Sequence, residues 1–260
     1  MRRGVAEADG VAESAGTWHA AIERRLQAIF PGLPWRPTWI ALLGTWLLVA
    51  YHHQGSPWWA PDLFLHASTE LTGIHAALFH RHLWGHLTAV LLLVVVPLLF
   101  ARAWAGWGPR DLGLSIRGAR REMLLVLALW ALLVPVIALA ARTEGFARTY
   151  PRLPEARVDA GLFALYQALY LIKWTAWEFF FRGFLLFGLR RDLGSVAVLL
   201  STVPFTLMHV GKPEAEMASA AVGGLVLCWI ALRSRSIWPG VLIHALVATT
   251  MDFFASTWWR

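Results

Sequence analysis

The stretch from Glu122 to Ala141, EMLLVLALWALLVPVIALAA, decides the fold: after Glu122 it runs nineteen residues without a charge. A helix needs about 20 mostly apolar residues to cross hydrocarbon. No water is available there to satisfy backbone N–H and C=O groups, so a helix that bonds to itself is the form such a run takes. Comparable runs lie at roughly 38–53, 84–104, 160–189, 195–211, 217–232 and 237–256. Together they predict an all-α, polytopic transmembrane helical bundle of about seven spans.

Composition agrees with the runs. Of 260 residues 58% are hydrophobic and 15% charged, against about 25% charged in soluble domains. The net charge of +7 resides between the apolar runs. It therefore reads as membrane topology rather than as a nucleic-acid surface, and the expected partners are the lipid bilayer and a membrane protein or peptide, with no nucleic acid. Cys228 is the single cysteine and lies within a span, so no internal disulfide forms. Tryptophans gather at span ends, among them Trp58, Trp59, Trp104, Trp107 and Trp238, as in an interfacial aromatic belt.

Two regions are expected. Residues 1–37 form a cytoplasmic tail, small and polar to residue 16; over 17–31 Trp18, Ile22, Leu26, Ile29 and Phe30 then share one face of an amphipathic interfacial helix. Residues 38–260 form the transmembrane domain. No signal peptide is legible, because the first apolar run begins late and lacks a small-residue cleavage pattern. Residues 57–82 mix Trp, Phe and Leu with Asp62 and Glu70 and read as interfacial or re-entrant. With the N-terminus inside, inner segments carry fourteen Lys or Arg and outer segments seven. That asymmetry favours a cytoplasmic N-terminus. Pro97, Pro135 and Pro204 fall inside spans and predict kinks. Pro239 opens the last span, where a missing N–H costs nothing. Ala220 with Gly224, and Ser219 with Gly223, fit small-xxx-small helix packing.

Charges at bilayer depth cost a few kcal/mol or more and ask for a reason. In the last four spans the ionisable set is Lys173, Glu178, Arg182, His209, His244 and Asp252. Glu178 and Arg182 are four apart and share a helix face. They read either as a self-neutralising pair that staples the bundle or as a carboxylate oriented to handle a proton. His209 and His244 are each, alone, ordinary packing residues; with a buried Glu they make three desolvated polar groups that gain by meeting. At ~1.5 Å per residue, Glu178 and His209 sit ~18 and ~22 Å, and His244 ~10 Å, from one face, so convergence needs tilt. Lys173 is expected to pair with Asp252 or Glu178. His82 and His86, at metal-ligand spacing within the His75, His80, His82, His86 group, are expected to be interfacial surface histidines rather than a metal site.

Glu178-Phe-Phe-Phe-Arg182-Gly, Phe205-Thr-Leu-Met-His209 and His244-Ala-Leu-Val-Ala248, on successive spans, resemble the CPBP family of CAAX prenyl endopeptidases and bacteriocin-processing or self-immunity proteins, also called abortive-infection proteins. The likeness covers about residues 110–256 and implies a CPBP-like core. Two positions depart from the family pattern: Trp177 stands at the first Glu of its Glu-Glu pair, held to activate the water, and Ala248 at the polar residue after the last His. Glu178 itself, or Glu214 and Glu216 beyond His209, are the candidate replacement carboxylates, and Asp252 the replacement polar group. The resemblance implies a glutamic-type intramembrane endopeptidase, with Glu178, His209, His244 and Arg182 catalytic and Asp252, Glu216, Glu214 and Lys173 supporting. It would act on a membrane-associated protein or peptide, for instance a C-terminal sorting tail, in a bacterial cytoplasmic (inner) membrane. No cofactor is expected; the alternative is zinc on His209 and His244. The rival readings are an inactive CPBP-like scaffold or immunity protein and, less favoured for want of an internal repeat, a small transporter.

Overall fold

The structure is a computed structural model that describes residues 21–257. The chain forms two compact units, Met1–Trp39 and Ile40–Arg260. Within the first, α1 is helical over 21–29 and exposes Ile29 and Phe30. Trp18 lies outside the described residues.

A helix occupies each of the seven expected spans: α2 (Trp35–Gln54), α4 (Ala77–Ala105), α5 (Arg120–Ala140), α7 (beginning Ala160–Glu178), α8 (Val196–Leu207), α9 (Glu214–Ser234) and α10 (Trp238–Ala255). Among the described residues α4, α5, α9 and α10 are long and apolar enough by themselves to cross a membrane, and α8 is a shorter apolar helix. Residues 57–82 fold as a 3-10 turn (Pro57–Trp59) and α3 (Asp62–Thr72), whose Leu63 and Leu71 are exposed, and then enter α4. The loop after α5 carries the short α6 (Glu144–Thr149), capped by Thr143, whose hydroxyl accepts the Phe146 N–H at 3.4 Å.

The run at 160–189, which forms α7 and its continuation, is the hub. Asp159 starts α7 by accepting the Leu162 N–H at 2.9 Å, satisfying a helix-end donor. After Glu178 the helix widens into a π stretch, Phe179–Phe187, and closes with an α-helical turn, Gly188–Leu193. Phe179 through Leu186 are all buried. A helix buried on every side sits in the middle of its bundle. Its neighbours come close because glycine allows it: a Cβ at Gly183 would lie 2.9 Å from the Leu112 carbonyl, and one at Gly188 would lie 3.1 Å from Trp107. The Phe181 carbonyl accepts the Ser201 hydroxyl at 2.8 Å, tying the π stretch to α8.

Of the two small-residue pairs on α9, the Ala220–Gly224 face is the packed one. Ala220 is buried, and a Cβ at Gly224 would lie 2.8 Å from Thr202 and 3.1 Å from Phe205; at Gly223 it would meet nothing. Pro135 and Pro204 stay inside helices, whereas Pro97 follows a π turn, Leu91–Val95, that absorbs its missing donor. Pro239 sits in the first turn of α10 as expected.

Candidate functional site

Glu178 is the last residue before the π stretch and Arg182 lies within it, both fully buried. Arg182 Nη1 donates to Glu178 Oε1 at 2.9 Å. The guanidinium also lies 4.3 Å from the centre of the Phe205 ring, and Nη2 reaches the Gly224 carbonyl at 3.5 Å. One arginine thus ties α7, α8 and α9 together through a charge that no water reaches. From α10, His244 Nδ1 approaches the same Glu178 oxygen to 2.8 Å, at an angle too oblique for a straight hydrogen bond. The His244 ring is stacked on Trp174 with centres 5.0 Å apart, which fixes its plane. Oε2 of Glu178 has no hydrogen-bond partner among the described residues. It occupies the space where Gly240, one turn before His244, lacks a side chain; a Cβ there would collide with it.

His209 lies in the turn just beyond α8, after the C-cap Met208. Its Nδ1 donates to the Phe205 carbonyl at 2.9 Å, since a carbonyl can only accept. In the neutral ring Nε2 is then the lone-pair nitrogen. His209 and His244 line the same cavity, of about 390 Å³, between α5, α9 and α10. Its walls are largely apolar, including Leu129, Leu133 and Val226, with Glu216 and Asp252 as its acids. A second cavity, of about 280 Å³, adjoins it and shares His209, Tyr170, Trp174 and Lys212. Glu178 lines neither cavity and stands behind His244.

Glu178, Arg182, His209 and His244 are therefore brought to one place, with Phe205 contacting Arg182, His209 and His244 alike. The supporting residues fare differently. Lys173 pairs with neither Asp252 nor Glu178, which corrects the expectation: it faces the second cavity, 5.3 Å from the Tyr170 ring centre. The reason is rotational. Glu178 turns to Arg182 and His244, and Asp252 is already occupied. Asp252 Oδ1 accepts the Arg152 N–H at 3.0 Å, and Oδ2 accepts Gln167 Nε2 at 2.7 Å, so this acid holds the loop before α7. Glu216 accepts Lys212 and the Tyr150 hydroxyl, both at 2.5 Å. Burial pushes the Lys212 ammonium below its usual range, against the opposing pull of Glu216. Glu214 is exposed at the start of α9. Trp177 is buried edge-on to Tyr51, with ring centres 6.0 Å apart, and lines the second cavity; Ala248 lines the first.

Among the described residues no three His, Cys, Asp or Glu side chains group closely enough to hold a metal ion. His209 and His244 thus lack a third ligand. The His75–His86 group also disperses: His80 bonds the Ile74 carbonyl at 2.6 Å, and His86 stacks flat on Tyr170. His86 is buried, not a surface residue. The sequence reading missed Gly240, Gln167, Arg152 and Tyr150. The first had a signal, a glycine just inside a helix beyond Pro239; the others are ordinary residues whose role depends on tertiary neighbours.

Residues 159–250 match the family described as type II CAAX prenyl endopeptidase Rce1-like. The match covers α7 to most of α10, the stretch that holds all four central residues, and supports a CPBP family protease. Comparison with curated proteins and with solved structures gave no match.

Proposed function

We propose that this membrane protein is a glutamic-type intramembrane endopeptidase acting, without a metal, on a membrane-associated protein or peptide in a bacterial inner membrane, for instance on a C-terminal sorting tail. The observation that carries the reading is that His209 and His244 line one cavity with Glu178 2.8 Å behind His244. The roles follow from the atoms. Arg182 fixes Glu178 by occupying Oε1. Glu178 is closed off behind His244; once His244 swings aside to admit a water, its unpartnered Oε2 is the base that takes a proton from that water, held by His209 Nε2, and the hydroxide attacks the peptide carbonyl. The proton then passes to the leaving amine. His244 donates to the oxyanion; one such donor is typically worth roughly 10²–10³ in rate. Asp252 keeps its loop-holding role and touches no reacting atom.

The second reading, a catalytically inactive scaffold or immunity protein, draws on a specific observation: Glu178 is wholly buried and reaches neither cavity, and Trp177 fills the position where the family carries its other carboxylate. Wild type and the Glu178→Ala, His209→Ala and His244→Ala variants, expressed in a deletion strain of the native host, separate the two. Tail-processed peptides in the membrane and secreted proteomes are expected with wild type only, at equal membrane levels of all four proteins. If the variants restore whatever wild type restores, the peptidase reading falls and the scaffold stands.

A further inference from the structure

The second cavity differs in charge from the first. Arg152, Lys173 and Lys212 line it, together with Tyr51, Tyr170 and Trp177, and among the described residues no carboxylate does. Lys212 is neutralised by Glu216 from the neighbouring cavity. Arg152 meets the Tyr170 hydroxyl, and its own backbone N–H is held by Asp252, also of the neighbouring cavity. Lys173 makes no ion pair among the described residues; its ammonium has only the Tyr170 ring face. Of the three cations only Lys212 has an ion pair among the described residues, so Lys173 and Arg152 face the cavity with no carboxylate of their own. Partly desolvated charges are ordinarily paired, and a guanidinium beside an ammonium is a donor set suited to a carboxylate. His209 also lines this cavity, so whatever it holds lies next to a group assigned to bond cleavage.

We infer that this cavity is a subsite for a carboxylate of the bound peptide, held by Lys173 and Arg152 on the far side of His209 from the apolar cavity. The assignment of the occupant as a peptide rests on the endopeptidase reading; the monoanion site does not. A single carboxylate has two oxygens and can meet both cations. The phenol and indole rings that line it accommodate the backbone that carries it. The peptide would then lie with apolar side chains in the larger cavity and an acidic group in the smaller, which gives the site a direction.

The test reads binding without cleavage. Full-length protein in detergent is titrated with N-acetylglycinate, with the side-chain carboxylate of N-acetylaspartate N-methylamide (its α-carboxyl amidated), with neutral N-acetylglycinamide and with dimethyl phosphate, following thermal unfolding. One of the two carboxylates is expected to raise Tm, and which one does identifies a terminal or a side-chain group; the amide and the phosphodiester are expected to be inert. Lys173→Met is expected to weaken carboxylate binding about tenfold or more, the effect of one charge-assisted hydrogen bond, and Lys173→Arg to restore it. Equal binding of the amide, or unchanged binding by Lys173→Met, overturns the site. Binding of dimethyl phosphate alone reassigns it to a lipid headgroup and overturns the peptide subsite. Carboxylate binding without proteolysis in the deletion-strain experiment would retire the endopeptidase and leave the monoanion site standing.

Discussion

Two glutamate–arginine pairs in this chain have the same i, i+4 spacing and opposite physics. Glu144 and Arg148 pair on α6 with side chains 78% and 74% exposed, whereas Glu178 and Arg182 pair on α7 at 0%. In water the first is worth about 0.3–0.5 kcal/mol, because both charges are solvated whether or not they meet. The second pair is different in kind. Neither charge has water to return to, so losing one partner leaves the other stranded, at about 3–5 kcal/mol. The pair need not add stability over apolar residues of similar volume; what it does is make each partner obligatory. That obligation fits a chain whose Glu178 also has to receive His244.

The comparison breaks most visibly at Arg182. Arg182→Met is expected to destabilise the protein by about 3–5 kcal/mol, seen as loss of folded protein from the membrane and a large fall in Tm in detergent. Adding Glu178→Gln is expected to recover much of the loss without recovering any proteolysis. If Arg182→Met accumulates and melts like wild type, the buried pair is not obligatory and the contrast fails. Gly240→Ala comes next, because its Cβ would strike Glu178 Oε2. Overpacking of this kind costs about 1–3 kcal/mol, and Glu178→Ala in the same chain is expected to relieve it. Additive effects in that double-mutant cycle would place Gly240 away from the carboxylate.

The exposed end of the comparison gives the small effects. Asp111 accepts the Gly108 N–H at 2.8 Å and pairs with Arg191 at 2.8 Å. The backbone donor first and the Arg191 guanidinium second hold its carboxyl below the usual carboxylate range. A carboxyl depressed in the folded state contributes stability above its unfolded pKa of about 3.9 and loses it as pH falls through the folded value. Asp111→Asn is therefore expected to lower Tm slightly at pH 7, with the difference closing as pH falls through the depressed folded value. A gap that widens in acid would reverse the assigned sign. Arg148→Ala is expected to change Tm least, by the equivalent of about 0.5 kcal/mol or less, and to lose even that in high salt.

How far each region was legible follows from the range of the forces involved. The span 122–141 is found as α5 at Arg120–Ala140, because burial of an apolar run in lipid depends on local composition alone. The Glu178–Arg182 pair was legible because helical spacing brings i and i+4 together. The meeting of His244 with Glu178 joins residues 66 apart and was legible only as a cost that convergence would remove. Lys173 was misassigned for the same reason: its depth follows from the sequence, but the direction it faces depends on how α7 is rotated against its neighbours. The π stretch left no mark beyond a run of phenylalanines.

By itself, then, the sequence determined an all-helical membrane protein, the place of each span along the chain, although α4 begins at Ala77 rather than 84, and the short list of polar residues that need partners. Those follow from hydrophobic transfer and helix geometry, which act residue by residue. Only the tertiary structure decided which partners meet. It set Glu178 behind His244 rather than in the cavity, gave Asp252 to a loop, and left Lys173 facing a space with two other cations. The physical reason is that a buried charge is settled by whichever group reaches it within about 3 Å, and at that scale helix rotation and a missing Cβ at Gly240 count for more than any motif.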